Sequence, residues 1–371
     1  MKELQFYDAY IDDTYMYFSA LDFNGLFRMR LGETKAEFLM HFPGDAVWQK
    51  VMHRQVIRVE DCLFFIPYRA HGISVFNLKN YTMDYILMSS KAKVFANYSR
   101  VVQCGEGYLL IPDDFKQPFM ILDIKRREVC IAEMLDKQRR ELVSGFDNVG
   151  SAQYGTYVSD NYMYTAVYGL DILLKIDKNS LNAVDYKLGK YSMHNIILFE
   201  GKLWFTSKID NIVYCYDIEN GSMQKYDIGG EGERLLFAIV PYRDTLILLP
   251  CQGDKIWVFE KESNKWIVLI DLFSGDFCRL IKGVSLFIGY KYVGSELFLF
   301  PRGGNGMVKL DSETNQVEII SIQYEDSFND RREQISIEYS IEQKIAKKKI
   351  IVEDRHFGVE AYLLHIAERG Y

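Results

Sequence analysis

The chain has 371 residues, 49% of them hydrophobic and 15% aromatic, with a net charge of -7. A chain of that length and apolar content buries a sizeable core without disulfides or structural metals, and its acidic balance argues against a general nucleic-acid binder, which carries a basic surplus. Against 26 tyrosines and 24 phenylalanines stand only 7 prolines, a bias toward half-buried pleated surfaces and away from disordered linkers.

The opening MKELQFYDAYIDDTYMYF alternates apolar and polar residues and carries acids early, unlike the basic n-region and continuous apolar stretch of a secretory signal. No run approaches the roughly eighteen apolar residues of a membrane span. A cytoplasmic location with no membrane partner is therefore expected. The first structured frame is FSALDFNGLFRMR, with Ala20, Gly25 and Arg30 spaced by five.

The frame then recurs along the chain. FIPYRAHGISVFNL places Pro67 at the end of an apolar run, Gly72 five residues later and Asn77 five beyond that. IPDDFKQPFMILD carries it from Pro112 to Asp123 with one extra residue. AVYGLDILLKID ends at Asp177, TSKIDNIVYCYD at Asp217 and LPCQGDKIWVFE at Glu260. FPRGGNGMVKLD, with Pro301, Gly306 and Asp311, is the seventh copy. After each polar endpoint a short turn leads to another strand-like run, and a further apolar run usually precedes the frame. Each unit thus reads as four strands of an antiparallel meander.

Seven such units match the length and strand count of a propeller blade. One meander cannot bury both its faces, so the blades must stack around an axis. Over residues 1–322 the "apolar-x-apolar-Asp, turn, apolar" rhythm resembles the β-propeller superfamily, kelch-like or quinoprotein-like. The resemblance is one of architecture: neither the G-H and W-D signatures of WD40 repeats nor the double glycine of kelch repeats recurs. It implies an all-β, seven-bladed β-propeller of four-stranded antiparallel blades.

The glycines of FPRGGNGMVKLD suggest a phosphate loop, but such a loop needs a helix N-terminus after it, and MVKLD reads as a strand. Asn-Gly at 24–25 and 305–306 and His-Gly at 71–72 are instead expected to supply positive φ in the turn between second and third strands. The connections 43–56 and 134–150 are longer, and MLDKQRRELV in the second is expected to form a short exposed helix. Beyond the frame, residues 323–371 form a C-terminal extension. Val359, Tyr362, Leu363 and Ile366 recur at helical spacing and predict an amphipathic helix over Phe357 to Glu368, packed on the propeller. The basic run KIAKKKII, Lys344 to Ile351, lacks the interleaved aromatics of a single-strand binder. No nucleic-acid partner is expected.

Candidate site residues come from the propeller resemblance, which brings the loops between second and third strands to one face. Arg54, Arg100 and Arg234 each precede an inner strand, so the resemblance implies a common radius near the axis, together with His53, Arg69 and His71. Guanidiniums there would grip a carboxylate, sulfate or phosphate. Alternatively each pairs with an acid of a neighbouring blade and ties the ring. The six cysteines show no C-x-x-C pair and are expected to be buried and reduced, the six histidines have no metal spacing, and no nucleophile elbow is readable. No metal and no cofactor is expected. The reading is a non-enzymatic binding or scaffold propeller recognising a protein or anionic ligand on its loop-rich face. The alternative is a propeller-type hydrolase or lyase acting on an anionic glycan, with His53 or His71 as base.

Overall fold

A computed structural model of the chain describes residues 4–88, 96–144, 149–168, 172–189, 193–207, 210–229, 236–250, 255–271, 287–301 and 306–328, with Leu170 and scattered positions from 333 to 341. It divides into two compact units, one ending at Gln323 and one beginning at Tyr324. The second carries helical turns at 326–328 and 333–335. The helix expected over Phe357 to Glu368 and the basic run Lys344 to Ile351 lie outside the described residues.

The first unit is a ring of seven four-stranded antiparallel blades, at 9–40, 53–87, 98–131, 150–187, 193–227, 236–271 and 287–321. In each, the first strand is innermost, and from blade one to blade six each first strand meets that of the next blade. The inner strands of blades four and five even share a parallel bridge, Tyr154 to Asn195. The middle strands are buried on both faces because blades stack against them from both sides, so Cys62–Pro67 and Thr245–Pro250 are near-continuous apolar runs. The outermost strands, such as Ala183–Lys187, are largely exposed.

The core therefore lies between blades. Phe64, Ile66 and Val75 of blade two pack with Val101 and Leu110 of blade three. Ile247, Leu249 and Ile256 of blade six pack with Leu297, Leu299 and Val308 of blade seven. Pro67, Pro112, Pro250 and Pro301 all end second strands, and each faces the residue just before a bulge in the inner strand: His53, Tyr98, Leu236 and Phe287. A proline, lacking an N–H, is tolerated at a strand end beside a bulge, where the ladder is interrupted anyway.

The recurrent polar endpoint caps the turn between third and fourth strands. Asp177 Oδ1 accepts the N–H groups of Asn179 and Ser180 at 3.0 and 2.8 Å, and Asp311 does the same for Glu313 and Thr314. This is the Asx turn, in which a short acceptor side chain replaces a backbone partner. Four residues on, the chain turns left-handed in blades two to seven, at Tyr81, Arg127, Leu181, Gly221, Asn264 and Asn315, and in blade one it does so at Gly32, two residues after Arg30. Positive φ thus falls at that turn, and Gly25 and Gly72, expected to supply it between second and third strands, have another role. A Cβ at Gly72 would lie 2.4 Å from the Ile86 carbonyl oxygen and 2.7 Å from the Tyr85 ring, so what is needed there is space.

Glu296–Pro301 and Gly306–Asp311 are paired antiparallel strands, so no helix N-terminus follows those glycines to hold a phosphate. The expected short helix is present at Glu133–Val143. It is docked as well as exposed: Leu135, Asp136 and Arg139 are buried, and Gln138 bonds both backbone groups of Ala183 in blade four. Of the described cysteines only Cys215 is buried; Cys62 and Cys104 are half-buried and Cys130 is exposed on the outer strand of blade three. Cys251 and Cys278 lie outside the described residues. Among the described residues no helix is long and apolar enough to cross a membrane.

Candidate functional site

The inner strands of blades two to seven carry a β-bulge or register shift near their starts, and the bulge decides where the site residues point. Arg54 is the extra residue in blade two and Ser99 in blade three, so Arg54 and Arg100 are offset by one register position rather than equivalent. A bulge re-aims side chains locally. Both arginines line one small cavity of about 20 Å³, together with Tyr7, Asp8, Ser99 and Tyr290. That space admits a group the size of a water or the tip of a side chain.

Arg54 is almost wholly buried. Its guanidinium lies 5.1 Å from the centre of the Tyr7 ring and 4.7 Å from that of Tyr68, and its Nη1 sits 3.3 Å from Asp113 Oδ1 in the loop of blade three. Two aromatic faces and one carboxylate hold the cation in a fixed direction. Burial pushes the Tyr68 hydroxyl's pKa up, and the Arg54 charge opposes the shift. Arg100 is half-buried and faces Tyr290 of blade seven, whose phenol is also raised by burial while Arg100 and a hydrogen bond with Asn195 pull it down. Inner strands of blades three, five and seven thus converge there.

The other expected site residues are spread differently. Arg69 is exposed, 5.9 Å from the Tyr68 ring, and does not line the cavity. His53 lies in the core instead: its ring packs edge-on at 4.3 Å from Phe42 and 5.7 Å from Phe65, and Nδ1 bonds Ser19 Oγ at 3.0 Å. Desolvation there lowers its pKa to about 3, so the ring is neutral and out of reach of a ligand. Arg234 lies outside the described residues.

His71 sits in a rim loop, and its Nδ1 lies 2.6 Å from Oδ1 of Asp45, whose other oxygen accepts the His71 backbone N–H at 3.2 Å. The Asp45 side chain is buried and comes from the long 43–56 connection. Neighbouring Tyr85, whose hydroxyl pKa is raised by burial and by the Asp45 charge, closes the cluster. Asp45, Tyr7, Tyr68 and Tyr290 were not legible as site residues, because each is defined by a partner on another blade or loop. The length of the 43–56 loop was the only signal that pointed near Asp45. Among the described residues no group of three His, Cys, Asp or Glu side chains is arranged to hold a metal.

Compared by sequence with family models and with curated proteins, the chain matches none. Among solved structures it is similar to the virginiamycin B lyase of Staphylococcus aureus, at 11% identity and a TM-score of 0.55 over 86% of this chain and 95% of that one. A streptogramin B lyase structure aligns at 15% identity and a TM-score of 0.52 over 72% of this chain and 82% of that chain. A Mycobacterium tuberculosis puromycin-hydrolyzing peptidase gives 13% identity and a TM-score of 0.58 over 87% of this chain but 54% of its own. At these identities the shared property is the propeller fold.

Proposed function

We propose that the protein is a non-enzymatic binding propeller whose loop-bearing face takes an acidic side chain of a protein partner at the cavity shared by Arg54 and Arg100. The observation that supports this reading is the convergence of Arg54 and Arg100, from adjacent blades, on one cavity of about 20 Å³. Oriented guanidiniums suit a carboxylate or phosphate tip, and the space is too small to enclose a sugar ring. Arg54, anchored by Asp113, supplies a fixed field, and Arg100 the direct contact. The test is the affinity of a fluorescent glutamate-rich peptide. It should fall with added salt, and about tenfold or more in Arg100→Ala, with folding unchanged. An affinity insensitive to both changes would overturn the reading.

A second reading rests on the His71 and Asp45 pair. A buried carboxylate on Nδ1 leaves Nε2 as the ring atom able to accept a proton, as a general base requires. It supports a hydrolase or lyase acting on an anionic glycan across the rim. Turnover of uronate-containing oligosaccharides that disappears in His71→Ala and Asp45→Asn would favour it over the binding reading.

A further inference from the structure

A second cavity lies away from the axis, where the helix Glu133–Val143 crosses from blade three to blade four. It has a volume of about 350 Å³, within the range of small-molecule sites. Phe119, Leu135, Leu142 and Leu174 provide apolar walls, and Phe119, Leu135 and Leu174 are buried.

Its polar groups divide into two sets. Arg139 is committed elsewhere, with Nε 2.5 Å from Asp136 Oδ1 and an Nη1–H donated to the Phe115 carbonyl. Gln138 likewise spends its amide on the backbone of Ala183, which fixes the helix against the outer strand of blade four. Glu141 and Asp185 remain at the opening, both exposed, and neither is in an ion pair among the described residues. Asp136 draws Arg139 and Arg140 toward itself, Arg140 Nη1 lying 2.5 Å from its Oδ2, and although Lys137 stands one turn before Glu141 on the helix and Lys187 two residues after Asp185 on the strand, neither forms an ion pair with these acids among the described residues. An apolar interior with two unneutralised carboxylates at its entrance selects a ligand of opposite design, an apolar body ending in a positive charge.

We propose that this cavity between the helix and blade four is a binding site for an apolar organic cation, such as an aryl- or alkylamine. The apolar walls accept the body by ordinary burial. Glu141 and Asp185 set the sign of the charge, from the helix and from the strand Ala183–Lys187 respectively. Because both carboxylates are exposed, each contributes selectivity more than affinity, and that contribution is screened by salt. The site shares no residue with the cavity of Arg54 and Arg100.

The experiment is ligand-observed NMR on the full chain with phenethylamine as probe and phenethyl alcohol as its neutral counterpart, at millimolar concentration. Saturation transfer to the amine should exceed that to the alcohol and diminish with added salt. Glu141→Gln and Asp185→Asn should each weaken amine binding about two- to fivefold, and the pair together should bring it down to the alcohol. Leu142→Trp, which fills the cavity, should abolish transfer to both probes, whereas Arg100→Ala should change neither. Equal binding of amine and alcohol, insensitivity to the double substitution, or no transfer to the amine at all would each overturn the proposal.

Discussion

Asp8 and Lys291 face each other across the seam of the ring, Oδ1 to Nζ at 3.4 Å, although they stand 283 positions apart in the chain. Blade seven is built from four consecutive strands, whereas the sheet of blade one adds to its own four a short strand that begins at Gln323, just after blade seven, and is hydrogen-bonded to the outer strand Lys35–Met40. Closure relies on the segment before blade one and on the one that follows blade seven. Asp8 bonds Lys291, Phe6 packs on Phe300 at 5.0 Å, and the Gln323 N–H donates to the Thr34 carbonyl at 2.8 Å.

Asp8 also serves the next blade, since its Oδ2 accepts the buried Val56 N–H at 3.0 Å. Gln55 does this for Val101 and Asn195 for Ile239, at 2.9 and 2.8 Å. Asp8→Ala should therefore lower the unfolding free energy by about 1–3 kcal/mol, the cost of a buried donor left without an acceptor. Asp8→Asn keeps an acceptor and should lose less. Urea midpoints of the two variants check the order.

Glycines at two kinds of position should respond oppositely to asparagine. Gly221, at φ +73 and with only the Tyr216 hydroxyl in ordinary contact at 3.9 Å from a would-be Cβ, sits where blades six and seven carry Asn264 and Asn315, so Gly221→Asn should be within about 0.5 kcal/mol of the parent. Gly289 lies against the seam, where a Cβ would fall 1.9 Å from the Tyr7 carbonyl oxygen. Gly289→Asn should cost about 1–3 kcal/mol or more, because backbone must move. Thermal unfolding of the pair separates conformational freedom from lack of space.

Buried neutral His53 makes stability depend on pH. Its folded pKa of about 3 lies below the unfolded value of about 6.5, so below 6.5 the unfolded chain binds the extra proton. Its stabilising contribution is complete above that value and is lost as pH falls toward 3, by about 1.4 kcal/mol per pH unit. His53→Asn, whose amide takes the place of Nδ1 beside Ser19 and does not titrate, should flatten this part of the profile. Urea denaturation across mildly acidic pH measures the slope in both proteins.

Arg54 and Arg100 should separate into an anchor and a contact. Arg54→Ala removes the stack with Tyr7 and Tyr68 and leaves Asp113 without its counter-ion, and should lower stability by about 1–3 kcal/mol. Half-buried Arg100 should cost less stability when truncated while affecting peptide binding more. Equal stability loss in both variants, with unchanged peptide affinity, would assign both arginines to tying blades together.

Read from sequence alone, the chain already determined its blade count, the ends of its second strands at Pro67, Pro112, Pro250 and Pro301, and its turn-capping Asp residues. Those features depend on contacts within a few residues: an apolar run, a proline without an N–H, a carboxylate that bonds the backbone two and three positions on. Tertiary structure decided what depends on partners in other blades. It sank His53 between Phe42 and Phe65, offset Arg54 from Arg100 by a bulge, and joined His71 to Asp45. Gly72 shows the boundary between the two: its place in the repeat was visible, but its reason, a backbone oxygen 2.4 Å from a would-be Cβ, exists only once the neighbouring strand is in place. Local periodicity fixes which strands form, whereas the direction of a side chain at the axis depends on a register shift that leaves no local signature.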